Sequence, residues 1–471
     1  MSKNNGFVTI KDSKEVQIGD EAAEHTQGGE SHKPIISIPK QMTDRLEAEQ
    51  AGERRLYLQV GTMEEEAVWI ENETEDEIGM PCALRKNLGL IDGLTCTFKL
   101  EKNCLRFGPV IGVFVGPTYI RRLFNDQNPK KRTIELLKAN EEAHTILYFF
   151  TTENVNCKRQ KIKGTYFHPH EQRWKQKTFP FPDVLYDRGS GRQRKIPKYR
   201  YIRSFFNKHT PMKKINSEHY FDKWELYQNL SKHGEMQPYL PETKLYKKVS
   251  DFNAFTKDRK VYIKRCVSSN GRKVMRVVKL PKRGYEYSYY ADRVVAGRVR
   301  KINDVVKEMN KFFHGKKVIL QKAIDLQKVD QSIVDMRANV QRNGRGELEI
   351  TAISARIGHK NSPVTSTRTG STCYQFEEFY KDMLGMSAKE VQKLKKKIEQ
   401  FLITAYTCIE KSYGTFGEIG IDFALDTDGK IWFIEANAKP AKDALYQAYD
   451  RETIRKAFQY PLEYAKYISG F

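Results

Sequence analysis

Asp422, Glu435 and Asn437 carry hard oxygen donors in a stretch whose spacing brings them together. Asp428-Gly429 separates two apolar-rich runs and reads as a two-residue hairpin turn, because a type I′ turn needs two positive φ angles. Counting outward from that turn sets Thr427 against Lys430 and Asp422 against Glu435, with Cβ atoms roughly 5 Å apart. Asn437 falls on the same face, whereas Ile421, Phe423, Leu425, Trp432 and Ile434 take the other and anchor the hairpin in the core. Two carboxylates and an amide oxygen on one half-buried face suit Mg²⁺ held jointly with substrate phosphates. Without a cation they would repel, so Asp422→Asn or Glu435→Gln is expected, if anything, to stabilise the metal-free protein. The plainer alternative is a hairpin whose polar residues face water. Lys439-Pro440, directly after the hairpin, adds a cation suited to phosphate.

A second element is Lys260-Val261-Tyr262-Ile263-Lys264-Arg265, then a polar loop holding Ser268, Ser269 and Gly271, then Val274-Met275-Arg276-Val277-Val278. A strand ending in lysine before a flexible loop can hold phosphates while loop amides cover them. Hairpins with Ser-Asn-Gly turns are common, so alone this signal is weak. A third is Val318-Ile319-Leu320-Gln321-Lys322-Ala323-Ile324-Asp325, a strand running into a link able to offer backbone groups to a base. His168-Pro169-His170 has no third metal ligand in view and reads as surface histidines. Gly189-Ser190-Gly191 lacks both the third glycine and the following helix of a dinucleotide fingerprint.

These residues need a scaffold. Residues 1–35 are polar and aperiodic and read as a flexible tail. Residues 36–105 carry short apolar runs between turn residues, the pattern of a small β-rich domain. From 106 the rhythm becomes strand–helix–strand: Val110 to Val115, a helical stretch Thr133 to Ala143, Thr145 to Phe150, and Asp183-Val184-Leu185-Tyr186 ending at Asp187-Arg188. That predicts a three-layer α/β domain over 106–217. It closes with a basic stretch from Arg192 to Lys214 containing Tyr199, Tyr201, Phe205 and Phe206, whose plainer reading is a solvated connector with its aromatics docked beneath. Residues 218–471 read as a second α/β unit. Its long helix opens at a Ser387/Glu390 capping box and carries the apolar stripe Val391, Leu394, Ile398, Phe401, Leu402, Ala405 and Ile409.

The three chemical elements in this order, with Phe221-Asp222-Lys223-Trp224, Val334-Asp335-Met336-Arg337 and Ile353-Ser354-Ala355-Arg356-Ile357-Gly358, resemble the ATP-grasp superfamily, in its YheC/YheD branch of endospore coat-associated proteins. The resemblance covers about residues 50–471. It implies an α/β (α+β) ATP-grasp fold behind a pre-ATP-grasp domain and the β-rich domain, with ATP and Mg²⁺ (or Mn²⁺) as cofactors. By that resemblance Lys223, Lys264, Ser268, Ser269 and Gly271 contact the nucleotide phosphates, and Gln321, Lys322, Ala323 and Ile324 receive the adenine. Arg337 and Arg356 neutralise the transferred phosphoryl group or an acidic substrate, and Asp422, Glu435 and Asn437 hold the metal. The implied reaction is ligation of a carboxylate to an amine or thiol through an acylphosphate, and the alternative is a non-catalytic ATP-binding coat protein. Two departures stand out. Lys264-Arg265 replaces the family's lysine–proline with only Gly271 in the loop, and Val364 to Ser371 lacks the expected asparagine and paired glycines.

Composition bounds the remaining classes. Among 471 residues, 82 Lys+Arg against 59 Asp+Glu leave +23. Residues 1–80 carry 8 basic and 18 acidic groups, −10, so the rest carries +33, an excess that suits an acidic substrate or polyanionic surface. Nucleic acid is the weaker reading of that excess, because charge confers association without specificity. Seven scattered cysteines with no C-x-x-C pair argue against disulfides and fit a reducing cytosol. The longest apolar run, Val110 to Val115, is far short of a span, and no signal core opens the chain, so a soluble, cytoplasmic protein is expected.

Overall fold

The computed structural model describes residues 5–12, 33–49, 54–74, 76–125, 130–189, 193, 196–255, 260–267, 273–291, 293–359, 365 and 371–471. The chain divides into two compact units, Met1–Asn216 with Asn343–Glu347 and Phe458–Phe471, and Ser217–Arg342 with Leu348–Ala457.

The first unit begins with a closed barrel. Its strands run in the order Asn5–Asp12, Glu77–Met80, Ile35–Pro39, Met63–Asn72, Arg55–Val60, Cys104–Gly108 and Thr95–Glu101, the last pairing back to the first. Alternation builds it: Leu56, Leu58 and Val60 point inward beside Ile36, Ile38, Trp69 and Phe107, all buried. Asn5–Asp12, inside the segment expected to be a tail, supplies the strand that closes the ring. Its period-2 signal, Val8 and Ile10 alone, is too short to stand out from the polar residues around it.

Beside the barrel, Val110–Phe114 is central to a seven-stranded sheet, parallel to Ile146–Phe150 and Val184–Asp187. Both runs are buried at every position, as a sheet covered on two faces requires. Neighbouring Phe149 and Phe150 point to opposite faces; Phe149 stacks on Tyr119 of the helix Pro117–Asn125, and Phe150 meets Phe206 of the helix Pro197–His209. That is the expected three-layer arrangement. The basic stretch is thus a helix for most of its length, with Tyr199 and Phe206 buried and Tyr201 exposed. Arg192 lies outside the described residues.

The second unit holds two antiparallel sheets. The smaller runs Thr243–Leu245, Val318–Lys322, Lys260–Arg265, Val274–Lys279, Tyr285–Ala291, Arg293–Val299 and packs on the helix Ile302–Phe313. The larger runs Thr372–Gln375, Leu348–Ile357, Ser332–Arg342, Glu418–Leu425, Ile431–Asn437. The helix Ala388–Tyr413 opens with the expected Ser387/Glu390 box and lays Val391, Ile398, Phe401, Leu402, Ala405 and Ile409 against the apolar face of the larger sheet. All seven cysteines are free, and no described helix is long and apolar enough to cross a membrane.

Candidate functional site

The larger sheet has two chemically opposite faces. Met336, Ala338 and Val340 of one strand, Ile353 and Ala355 of its neighbour, and Ile419, Ile421 and Phe423 of the next all sit in the core. The alternate positions on the same strands are Asp335, Arg337 and Asn339, then Ser354 and Arg356, then Asp422, with Glu435 and Asn437 on the last strand. Cross-strand pairing sets Arg356 against Asp335, Arg337 against Asp422, and Asp422 against Glu435. Each arginine therefore faces a carboxylate on the neighbouring strand, and the carboxylates of Asp422 and Glu435 face each other.

The pairings are tight. Arg356 grips Asp335 with both arms of its guanidinium, at 2.6 and 2.7 Å, and its Nη2 lies 3.4 Å from Asp422. Burial opposes charge on Arg356, but Asp335 and Asp422 outweigh it and hold the guanidinium above its ordinary range. Arg337 makes a bidentate pair with Asp422, one bond of which is 2.7 Å. Lys223, first residue of a helix capped by Asp222, reaches Glu435 at 2.5 Å, and Asn437 lies 3.4 Å from the other oxygen of Glu435. Burial alone would raise the Glu435 carboxyl; Lys223, Arg337 and Lys264 prevail and hold it well below the usual carboxylate range.

The smaller sheet faces this floor across a cleft walled by Lys223, Lys264, Gln321 and Glu435 on the polar side and by Phe221, Leu240, Phe433 and Ile434 on the apolar side. Lys264 Nζ donates to Gln321 Oε1 at 2.6 Å, and Gln321 Nε2 donates to Thr243 Oγ1 at 2.9 Å. Burial pushes the Lys264 ammonium down to about 8, against the pull of Glu435. At the link after Gln321, the amides of Lys322 and Ala323 donate to the carbonyls of Glu242 and Lys260, and the Ile324 carbonyl accepts from Leu326. Ser268, Ser269 and Gly271 lie outside the described residues, as does most of Val364 to Ser371.

The hairpin reaches the expected pairing by a different route. The turn opens at Asp426, whose Oδ1 accepts from the amides of Asp428 and Lys430, and Gly429 alone takes the left-handed conformation at φ 78°. Leu425 therefore pairs with Ile431 and Phe423 with Phe433, one residue out of the expected register, until Ile434 bulges and Asp422 meets Glu435. Phe433 takes the core position expected of its neighbours. Trp432 instead donates its indole N–H to Asp426, and Ile434 lines the cleft. The carboxylates are not left to repel, because arginine and lysine side chains already neutralise them.

Asp335 is the residue that motif reading left unassigned. Its signal was present: two positions before Arg337 on one strand, it shares that arginine's face. What could not be read was the register that puts Arg356 opposite.

Comparison with known proteins places the chain in a family. The family described as YheC/D like ATP-grasp matches residues 212–468, more than half of the chain. The chain belongs to that family. The endospore coat-associated protein YheD of Bacillus subtilis (strain 168) is 25% identical over 386 residues, spanning 79% of this chain and 81% of YheD. The endospore coat-associated protein YheC of the same organism is 23% identical over 346 residues, 73% of this chain and 93% of YheC. Among solved structures, D-cycloserine synthetase DcsG aligns over 76% of this chain and all of its own at 12% identity and a TM-score of 0.46. The ATP-grasp ligase PsnB, solved with a phosphomimetic variant of a minimal precursor, Mg and ADP, aligns over 75% of this chain and 98% of its own at 11% identity and a TM-score of 0.39. Family membership places the chain among ATP-grasp proteins.

Proposed function

We propose that the protein is an ATP- and Mg²⁺-dependent ligase that activates a carboxylate as an acylphosphate for attack by an amine or thiol. The observation that carries this reading is the set of ion pairs over the polar face of the larger sheet, Arg356–Asp335 and Arg337–Asp422 between its strands and Lys223 of the neighbouring helix on Glu435, opposite Lys264 across an open cleft. The donors fit a hard divalent ion: Asp422 and Glu435 face each other, Asn437 follows on the same face, and all are oxygen ligands. Bound there with ATP, Mg²⁺ would neutralise charge on the transferring phosphoryl group.

The chain's own groups do the rest. Lys223 and Lys264 bind the nucleotide phosphates. Lys223 can turn from Glu435 to phosphate because both are cleft-wall groups. Arg337 stabilises the charge that develops on the transferred group. Arg356, its fork filled by Asp335, holds the neighbouring charges in register rather than meeting substrate. Gln321 fixes Lys264 and lines the cleft with the apolar wall on which adenine would stack, and the link through Lys322, Ala323 and Ile324 follows directly from it. Ser268, Ser269 and Gly271 belong to the loop that would cover the phosphates.

A second reading, ATP binding without turnover in a coat-associated protein, draws on Lys264-Arg265, which departs from the family's lysine–proline, and on the names of the Bacillus subtilis relatives. A screen of amino acids, short peptides and cell-wall or coat precursors for stimulated ADP release separates the two. Release that needs both a carboxylate and a nucleophile supports the ligase; ATP binding with a uniformly blank screen supports the second reading.

A further inference from the structure

Away from the cleft, three metal-ligating side chains of different kinds converge. His233 precedes the short helix Gly234–Tyr239, Glu235 lies within it, and Cys408 comes from the long helix Ala388–Tyr413. One ligand atom from each lies within 4.8 Å of the others, the one such His/Cys/Asp/Glu group among the described residues. Cys408 Sγ is 3.4 Å from Glu235 Oε1, and His233 Nε2 is 3.4 Å from Ser412 Oγ, one turn beyond Cys408.

We infer that His233, Glu235 and Cys408 form a binding site for a borderline transition-metal ion, with Zn²⁺ the best match. One sulfur, one imidazole nitrogen and one carboxylate oxygen is a donor set suited to zinc and poor for Mg²⁺ or Ca²⁺, which prefer oxygen alone. Zinc bonds of about 2.0–2.3 Å set tetrahedral ligand atoms roughly 3.5 Å apart, so the 3.4 Å sulfur–oxygen separation already fits. The thiol is buried while the Glu235 carboxylate is about half exposed, so an ion enters from the solvent side and meets sulfur last. Lys411 now sits 3.2 Å from Glu235, but its side chain is 54% exposed and can swing into water when an ion replaces it. Coordination releases the Cys408 proton to solvent and leaves thiolate on the metal, with no change of oxidation state. Three protein ligands leave a fourth position for water.

The consequence for the fold is local. Lys223–Leu230 and the segment to Pro241, which carry Lys223 and the cleft wall residues Tyr227 and Leu240, become clamped to the long helix of the same unit.

The test uses tag-free full-length protein stripped with a chelator and dialysed, then titrated with Zn²⁺ or Co²⁺ alone. Zn²⁺ is expected to raise the melting temperature at one equivalent, and Co²⁺ to give a thiolate-to-metal charge-transfer band in the near ultraviolet. Cys408→Ser and, independently, the part-exposed His233→Ala should each lose both signals, whereas Asp422→Asn should keep them. No band and no shift in the wild type overturns the site, and so does a signal that survives either ligand substitution. Because the readouts need no ATP, this outcome is independent of whether the cleft is a ligase site.

Discussion

Two ion pairs on one sheet face are built for different work. Arg356–Asp335 is bidentate, and its side chains are 8% and 9% exposed; Lys223–Glu435 is a single contact at the cleft wall, 14% and 17% exposed. The first can be broken only by leaving a buried charge without water and without its main partner, the second by a modest swing of a lysine. Depth and bond count thus separate a fixed frame from an exchangeable contact, although each pair joins one basic and one acidic side chain. Arg337–Asp422 lies between them, bidentate like the first, with a buried carboxylate and an arginine 16% exposed.

Removing one partner at each depth should rank the pairs. Asp335→Ala leaves Arg356 buried beside Asp422 alone and is expected to cost about 3–5 kcal/mol, read as the largest drop in denaturation midpoint of the series. Asp422→Asn leaves Arg337 without its carboxylate and should cost roughly 1–3 kcal/mol, while abolishing the rise in melting temperature that Mg-ATP gives the wild type. This reverses the expectation of a stabilised metal-free variant drawn from opposed carboxylates alone, and an Asp422→Asn protein melting at or above wild type would restore that simpler view. Glu435→Gln should cost about 1 kcal/mol or less, since Lys223 regains water, yet it should lose the Mg²⁺ dependence of nucleotide binding as completely as Asp422→Asn. Equal destabilisation by all three would mean that depth does not distinguish them.

What was legible in the chain follows the same physics. Period-2 and period-3.6 patterns in Val110 to Val115, Thr145 to Phe150 and the stripe from Val391 to Ile409 specify buried elements directly, because burial acts on each residue through its own side chain. The facing of Asp422 and Glu435 was legible, but the turn beside it was not. Asp426 captures two amides through its side chain and moves the turn start, and the Ile434 bulge returns the register, a compensation that no local rule contains. The pairings of Arg356 with Asp335 and Lys223 with Glu435 join residues 21 and 212 positions apart. The first depends on a hairpin register that shifts at Asn339/Val340, the second on a helix docking against the last strand, and spacing along the chain encodes neither. The strand Asn5–Asp12 was missed for a related reason: its partners Glu77–Met80 and Thr95–Glu101 supply most of the information that makes it a strand.

A pH-dependent effect concerns Lys264, the cation without a carboxylate of its own. Burial lowers its ammonium to about 8, against about 10.4 for a lysine in the unfolded chain. Between those values the unfolded state binds the extra proton, so this group makes the protein more stable as pH rises through the window and contributes nothing further above it. Nucleotide phosphates placed beside Lys264 would favour its charged form and raise its value again. Binding should then take up close to one proton above pH 8, and ATP affinity should fall as pH increases from about 8 to 10, by up to tenfold per unit. Calorimetry in buffers of different ionisation enthalpy measures that proton directly. Lys264→Met should bind more weakly at pH 7 but show no proton uptake and a flat profile over the same range. Proton uptake that persists in Lys264→Met would assign the titration to another group and remove Lys264 from the phosphate site, leaving Lys223 as the cleft's phosphate cation.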